Sequence, residues 1–462
     1  MVQGKAEASP ANVRKIALDL LIQVMEENVF CDRALHCAYD RYPLEKRDRS
    51  FLARLVEGTV ERCMEMDYVL NRFSKISVDK MKPAIRNILR LSVYQILYMD
   101  QVPDSAACNE AVKLTVKRNM KNLKGFVNGV LRNVAREKEN IPYPPKEDVV
   151  SYLSVRYSLP VWIVEDLIRD YGKERAEKIA ASFLKEKDWL SIRCMTGEFL
   201  AEEVKGALEQ EGVLVKEGKL ADGALQISRF SSLNELSAFC QGMFQVQDES
   251  SMLAVQVLGV QKKDTVIDVC ASPGGKTFYA ADLCRDGQVF SCDLTEEKTV
   301  RLYENKKRLG MENVTICVND ATVLREDWIG KADIVIADLP CSGLGVIGKK
   351  CDIKYKTTKE DVLSLAKLQR QILSVVSQYV KTGGRLMFST CTITREENQE
   401  NAEWIEKNLL FSPVSLEERL PKTLQGLTGS KGILQILPDM ADTDGFFISC
   451  WERKESWKRK QI

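Results

Sequence analysis

The sequence predicts a multidomain chain: an all-α N-terminal domain, a small α+β middle subdomain, and an α/β C-terminal domain built on a doubly wound parallel sheet. Three observations carry this. Between Asn12 and about Glu139 apolar residues recur at helical spacing, with Val13, Ile16, Leu20 and Val24 on one face and Ile85, Ile88, Leu89, Val93 and Ile96 on another. The stretch Ile141–Pro145, IPYPP, cannot continue a helix and breaks the chain. From Asp264 onward, short β-branched runs alternate with helical stretches, which implies right-handed crossovers between parallel strands. A length of 462 residues exceeds one ordinary core, so domains over 1–140, 141–244 and 245–462 are expected.

In the N-terminal domain the expectation is several packed helices with no strand pairs. Residues 1 to 140 carry 24 Lys and Arg against 18 Asp and Glu, a balance of +6, leaving 43 against 48 for the remainder. The excess is sharpest from Lys113 to Lys138, where Lys113, Lys117, Arg118, Lys121, Lys124, Arg132, Arg136 and Lys138 meet only Glu137. Such a run is a solvated helix face or a dock for a polyanion gripped by its phosphates. The middle region mixes expected helices at Val161–Tyr171 and Gly197–Gln210 with strands near Leu190–Arg193 and Ala224–Ile227. An inserted module of this kind is expected to hold substrate.

The C-terminal domain opens with QVQDESS (Gln245–Ser251) ahead of a helix. Strands follow at Thr265–Val269, Gln288–Asp293 (QVFSCD), VTICV, Asp333–Asp338 and Gly384–Thr390 (GRLMFST), with helices expected from Lys276, over Glu296–Leu309 and over Lys359–Val380. GILQILP and Asp444–Arg453 (DGFFISCWER) form an expected closing hairpin.

Composition excludes several classes. No apolar run reaches membrane-spanning length, and MVQGKAEASP contains no signal-peptide core, so a soluble chain is expected. Fourteen scattered cysteines without a CxxC pair, and His36 as the single histidine, suit a reducing cytosol and give little support to zinc ligation. Most of these thiols read as core filler.

The chemistry concentrates on DTVIDVCASPGGK (Asp264–Lys276). Pro273, Gly274 and Gly275 turn the backbone sharply between a strand and a helix, which places a nucleotide-like ligand at the strand's carboxyl end. A Walker A loop fits CASPGGKT everywhere except at Cys270, which stands where the first glycine belongs; a dinucleotide fingerprint is absent. A site for S-adenosylmethionine (SAM) needs the same turn and an acid at the end of the next strand, which Asp293 supplies. The turn alone leaves SAM and a phosphate loop both open. Four acids, Asp268, Asp293, Asp320 and Asp338, fall at successive strand ends where an open sheet gathers ligands, with Asp293 placed for ribose hydroxyls, Asp320 for an adenine edge and Asp338 between cofactor and substrate. Any one of them alone reads as a turn or cap.

Two thiols stand on loops at the same edge: Cys341 in DLPCSG (Asp338–Gly343) and Cys391 in STCT (Ser389–Thr392). Carbon 5 of cytosine is not nucleophilic, so its methylation requires a thiolate to add to carbon 6 and a base to remove the carbon 5 proton afterwards. Chemistry leaves open which of the two thiols attacks.

Taken together, CASPGGK, DLPCSG, STCT, QDESS and TDGFF resemble the RNA 5-methylcytosine methyltransferases of the NOL1/NOP2/Sun family, across about residues 245 to 453. RSFLARLVEGTVER (Arg49–Arg62), Leu89–Lys117 and KGFVNGVLRNV (Lys124–Val134) are similar to the NusB-type helical RNA-binding domain. The combination resembles the bacterial Sun/Fmu type, which implies a Rossmann-like catalytic domain acting on a cytosine of 16S ribosomal RNA in the cytoplasm, with nothing demanding more than a monomer. The resemblance implies that Cys270, Ala271, Ser272, Pro273, Gly274, Gly275 and Lys276 hold SAM together with Asp293, Asp320 and Asp338. It also implies that Cys391 is the nucleophile, that Cys341 helps release product, that Asp338 hydrogen-bonds the target base, and that Lys276 organises the acids. Ser272 and Leu339 replace commoner alanines without removing a functional group. The same chemistry on transfer RNA, and a non-catalytic RNA-binding assembly factor, are the competing readings.

Overall fold

The computed structural model describes residues 10–185, 188–427 and 432–455; residues 1–9, most of the stretch read for a signal peptide, lie outside them. The chain divides into two compact units, Met1–Leu184 with Ile347–Thr357, and Lys185–Val346 with Thr358–Ile462.

The first unit is helical. Helices Pro10–Glu26, Cys31–Arg41, Lys46–Glu61, Cys63–Phe73, Pro83–Tyr98, Asp104–Lys117 and Lys124–Glu137 enclose an apolar core. The faces read from the sequence point into it: Val13, Ile85, Ile88, Leu89 and Val93 are buried. The proline stretch is irregular, as expected, yet it is fastened down. Tyr143 donates to the fully buried Glu65 at 2.7 Å, and Tyr68 donates to the Pro142 carbonyl at 2.6 Å. Helices Val149–Arg156, Val161–Tyr171 and Lys173–Phe183 belong to this unit. The expected middle subdomain is therefore divided: its first three helices lie in this unit, while its strands and the helix Ala201–Gln210 lie in the other. Residues 347–357 also join the helical unit: Lys354 donates to the Glu61 carbonyl at 2.7 Å, and Asp352 accepts from the Cys31 amide at 2.9 Å.

The second unit contains two sheets. The smaller is antiparallel, with β1 (Leu190–Cys194), β2 (Leu214–Glu217), β3 (Ala224–Ser228) and β4 (Phe244–Val246) in the order β2-β3-β1-β4. The larger comprises β5 (Thr265–Asp268), β6 (Gln288–Asp293), β7 (Val314–Val318), β8 (Ala332–Asp338), β9 (Val380–Thr390), β10 (Phe411–Pro413), β11 (Ile433–Ile436) and β12 (Phe446–Arg453). Its order is β10-β12-β9-β8-β5-β6-β7, with β11 on β12. Strands β5 to β9 pair in parallel and β12 returns antiparallel against β9, so the sheet is mixed, with the expected hairpin of β11 and β12, joined by β10, as its antiparallel part. Strand order reverses at β5, between β6 and β8. In an open sheet that reversal opens a crevice at the carboxyl ends of the strands.

Local chemistry explains the crossovers. Thr295 caps Glu296–Leu309 and Gly310, at φ +65°, ends it, so that helix has the bounds the sequence gives. The helix expected over Lys359–Val380 stops at Val376, and β9 already begins at Val380.

Candidate active site

The loop after β5 turns at Gly274, whose φ of +106° lies in the left-handed region, and the helix Gly275–Leu283 starts at once. A side chain at 274 would also collide with Phe278, since an added Cβ comes within 2.3 Å of its ring. Glycine is therefore required twice over, by backbone conformation and by the close approach of the helix.

Above this turn lies an open cleft of about 250 Å³, lined by Gln247, Ser251, Asp268, Lys276, Asp338 and Cys391, among others. At its centre Lys276 donates from Nζ to Asp338 Oδ2 at 2.7 Å and to Ser251 Oγ at 2.9 Å. Ser389 donates to the other Asp338 oxygen at 2.8 Å. Asp338 ends β8 and Ser389 lies in register beside it on β9, so neighbouring parallel strands orient one carboxylate. Asp268 is buried; its Oδ2 accepts from Thr277 at 2.7 Å, while its Oδ1 is buried without a hydrogen-bond partner. Burial pushes this carboxyl up to about 7 against the opposing effect of the Thr277 hydrogen bond. Burial likewise raises the thiol of Cys270, which lines the cleft.

The two sequence-predicted thiols come together. Cys341 Sγ lies 3.3 Å from Cys391 Sγ, and Cys391 is on the cleft wall. Contact with the Cys391 sulfur, followed by burial, pushes the Cys341 thiol well above its ordinary value.

The remaining predicted residues stand differently. Cys270, Ala271, Ser272, Pro273 and Gly275 line the cleft. Asp293 sits just behind the loop, where it accepts from the Ser272 amide at 3.0 Å and the Leu294 amide at 2.8 Å and pairs with Lys298 at 3.1 Å. Asp320 is exposed, and one of its oxygens accepts from the amide and the hydroxyl of Thr322, a local turn. Gln247, Ser251 and Phe446 carry no role in the sequence reading, although QDESS and TDGFF already mark their neighbourhoods. Gln247 donates to Ser251 at 3.2 Å, and the Lys276 ammonium lies 4.8 Å from the centre of the Phe446 ring.

Among the described residues no cluster of metal-ligating side chains occurs, and no helix is long and apolar enough to cross a membrane.

Residues 255–452 match the model of the 16S rRNA methyltransferase RsmB/F family, and residues 11–136 match the NusB family. A Bacillus subtilis protein named "Probable ribosomal RNA small subunit methyltransferase B" is 36% identical over 96% of this chain and 99% of its own length. The Vibrio cholerae ribosomal RNA small subunit methyltransferase B is 28% identical over 95% of this chain and 96% of its own. Among solved structures, PH0851 is 26% identical over 97% of this chain and 100% of that one, with a TM-score of 0.79. NSun6 from Pyrococcus horikoshii, at 23% identity, 64% of this chain, 99% of that one and a TM-score of 0.58, shares the fold. The chain belongs to the RsmB/F methyltransferase family: it is a SAM-dependent RNA methyltransferase that carries a NusB-family helical domain.

Proposed function

We propose that the enzyme methylates carbon 5 of one cytidine in 16S ribosomal RNA through a covalent adduct on Cys391. The contact between the two thiols carries this reading: one sulfur on the cleft wall beside Lys276 and Asp338, with a second sulfur 3.3 Å behind it. The names and full-length similarity of the relatives support the 16S substrate.

The residues present suit SAM. The Asp268 oxygen left without a partner offers an acceptor inside the cleft, and the glycine turn brings backbone close to a ligand. Cys270 to Lys276 would hold SAM with Asp293 at the ribose, Asp320 at the adenine edge and Asp338 toward the substrate. Bound there, SAM supplies an electrophilic methyl group on a sulfonium.

Attack requires Cys391 as the thiolate, with the Cys341 thiol, pushed well above its ordinary value by contact with that sulfur and by burial, still protonated 3.3 Å away. That thiolate forms a bond to carbon 6, and the carbon 5–carbon 6 π pair becomes the enamine whose carbon 5 takes the methyl group. Asp338, fixed by Lys276 and Ser389, orients the pyrimidine by hydrogen bonding. Once Cys391 is a neutral thioether, its sulfur no longer holds up the Cys341 thiol, which releases its proton to solvent. The resulting thiolate takes the carbon 5 proton, the C–H pair restores the double bond, and Cys391 leaves as thiolate. Each turnover releases one proton.

The helical unit supports RNA binding. Lys113, Lys117, Lys121, Lys124, Arg132 and Arg136 are exposed; Lys113 pairs with Glu110 and Arg136 with Glu137, and the less exposed Arg118 pairs with Asp19 and Lys138 with Asp104. The reactive base has to be unpaired or extruded before a thiol can reach carbon 6.

The test is tritiated methyl transfer to rRNA together with the denaturation-resistant protein–RNA adduct. Cys391→Ala should abolish both, and Cys341→Ala should let the adduct accumulate. The opposite pattern reverses the two roles. Bisulfite sequencing of RNA from cells lacking the gene should show one lost site in 16S rRNA; a lost site in transfer RNA instead would overturn the substrate assignment.

A further inference from the structure

Glu397 is fully buried below the two cysteine loops, outside the cleft. One of its oxygens accepts from the Ser342 amide at 2.9 Å and from Gln369 Nε2 at 3.1 Å. The other accepts from the Ser342 hydroxyl and, at 2.8 Å, from the Thr394 hydroxyl. Gln369 also donates to the Pro340 carbonyl at 2.9 Å, and the Ser342 and Thr392 hydroxyls share a hydrogen bond of 2.7 Å. The neighbouring Asn398 accepts from the Thr390 hydroxyl at 2.6 Å and donates to the Thr392 carbonyl at 3.0 Å. Both residues flanking Cys341 and both residues flanking Cys391 are thus pinned by one buried polar network centred on Glu397. Four donors on one carboxylate stabilise its charge, which opposes the rise that burial imposes on it. A negative charge here also acts on the nearer thiol: after the Cys391 contact and burial, the Glu397 carboxylate is a further cause of the raised Cys341 value.

We propose that Glu397 is a positioning residue for the thiol pair: it holds the two loops at reacting distance, with Cys391 as the sulfur presented to the cleft and Cys341 behind it, so that Cys391 is the sulfur able to attack. This rests on Cys391 being the nucleophile. The carboxylate touches no substrate; it acts through the two loops and through its charge.

The test uses the full-length enzyme, tritiated SAM and a 16S rRNA transcript, with iodoacetamide labelling of the free enzyme read by peptide mass spectrometry. Glu397→Gln should lower kcat on the order of 10²-fold with KM for SAM and RNA unchanged, as expected when reacting groups lose their alignment. Labelling should shift from Cys391 toward Cys341. Glu397→Asp, which keeps the charge on a shorter stem, should lose rate but keep labelling selective for Cys391. Wild-type kcat in Glu397→Gln overturns the proposal, as does a joint fall of kcat, RNA affinity and thermal midpoint with labelling still confined to Cys391, the signature of a scaffold alone. Should Glu397→Gln not fold, Glu397→Asp decides: selective labelling supports the proposal and mixed labelling sinks it. Methyl transfer by Cys391→Ala would instead defeat the nucleophile assignment, and the labelling shift would still report whether Glu397 positions the two sulfurs.

Discussion

Lys276 and Asp338 form an ion pair of 2.7 Å inside the cleft, and the two ends of that pair are not equally dry: the Lys276 side chain is 9% exposed and that of Asp338 is 30%. Removing the lysine therefore leaves a carboxylate that water can still reach. Lys276→Met should cost about 1–2 kcal/mol of stability, nearer to a lost charged hydrogen bond than to a buried charge left alone. The loss of rate should be larger, on the order of 10²-fold in kcat, because Asp338 is then free to turn away from the base. Urea unfolding beside single-turnover methyl transfer checks both; equal losses in the two would mean that the pair serves only the fold.

Asp268 gives the enzyme a pH signature. Its carboxyl is raised to about 7 from an ordinary value of 3.8, so between roughly pH 4 and pH 7 the folded state holds a proton that the unfolded state has lost. Bound protons then favour the folded state, and this contribution falls as pH rises through that window, levelling off above it. Asp268→Asn, neutral throughout, should flatten the fall in thermal midpoint between pH 5 and pH 8. It should also weaken SAM binding, because an amide nitrogen can take the place of the carboxylate oxygen that has no partner. A wild-type pH profile in the variant would show that Asp268 titrates as it does in the unfolded chain.

How much of this was legible beforehand follows from the range of the interactions. Helix Glu296–Leu309 and strand Gln288–Asp293 have the expected bounds because cap, periodicity and turn glycine are local signals. The position of residues 347–357 in the helical unit was not legible, since Lys354 finds the Glu61 carbonyl far along the chain and nothing near it in sequence says so. Two of the small sheet's strands were missed for a related reason: β2 is a short edge strand, mostly exposed, and β4 has three residues, so neither develops a period. At the site, the glycine turn and the strand-end acids could be read directly. That Cys341 and Cys391 share one edge could be read from the strands they follow, their separate roles were implied only by resemblance, and Glu397 carried no signal, because its partners are gathered by the sheet.

The basic face of the helical unit yields a prediction about salt. Lys121 and Lys124 are exposed and extend from the start of the helix Lys124–Glu137, whereas Lys113 already pairs with Glu110 at 2.7 Å. If the first two contact phosphates, Lys121→Ala and Lys124→Ala should each reduce the slope of log K against log salt by about 0.7–0.9, and Lys113→Ala by less. Filter binding of the rRNA transcript from low to moderate salt measures this. Unchanged slopes in both would make the run a solvated face, with RNA held elsewhere.

The last prediction concerns what fastens the small sheet. Arg193 on β1 is 1% exposed, and its Nη1 lies 3.2 Å from Asp282 on the helix that begins at the glycine turn. It also donates to Gln247 at 3.2 Å and lies 4.4 Å from the centre of the Tyr279 ring. Burial lowers the guanidinium's value, and the Asp282 charge opposes that effect. Asp282→Ala strands a buried cation and should cost about 3–5 kcal/mol. The double variant Arg193→Met, Asp282→Leu removes both buried charges and should recover part of the loss, since Arg285 and the Gly197 amide also lose Asp282 as a partner, while Gln247 loses one partner near the cleft. Guanidinium unfolding of the two variants separates charge burial from simple loss of packing: if the double variant is no more stable than Asp282→Ala, packing around Asp282, and not its charge, holds the small sheet to the helix.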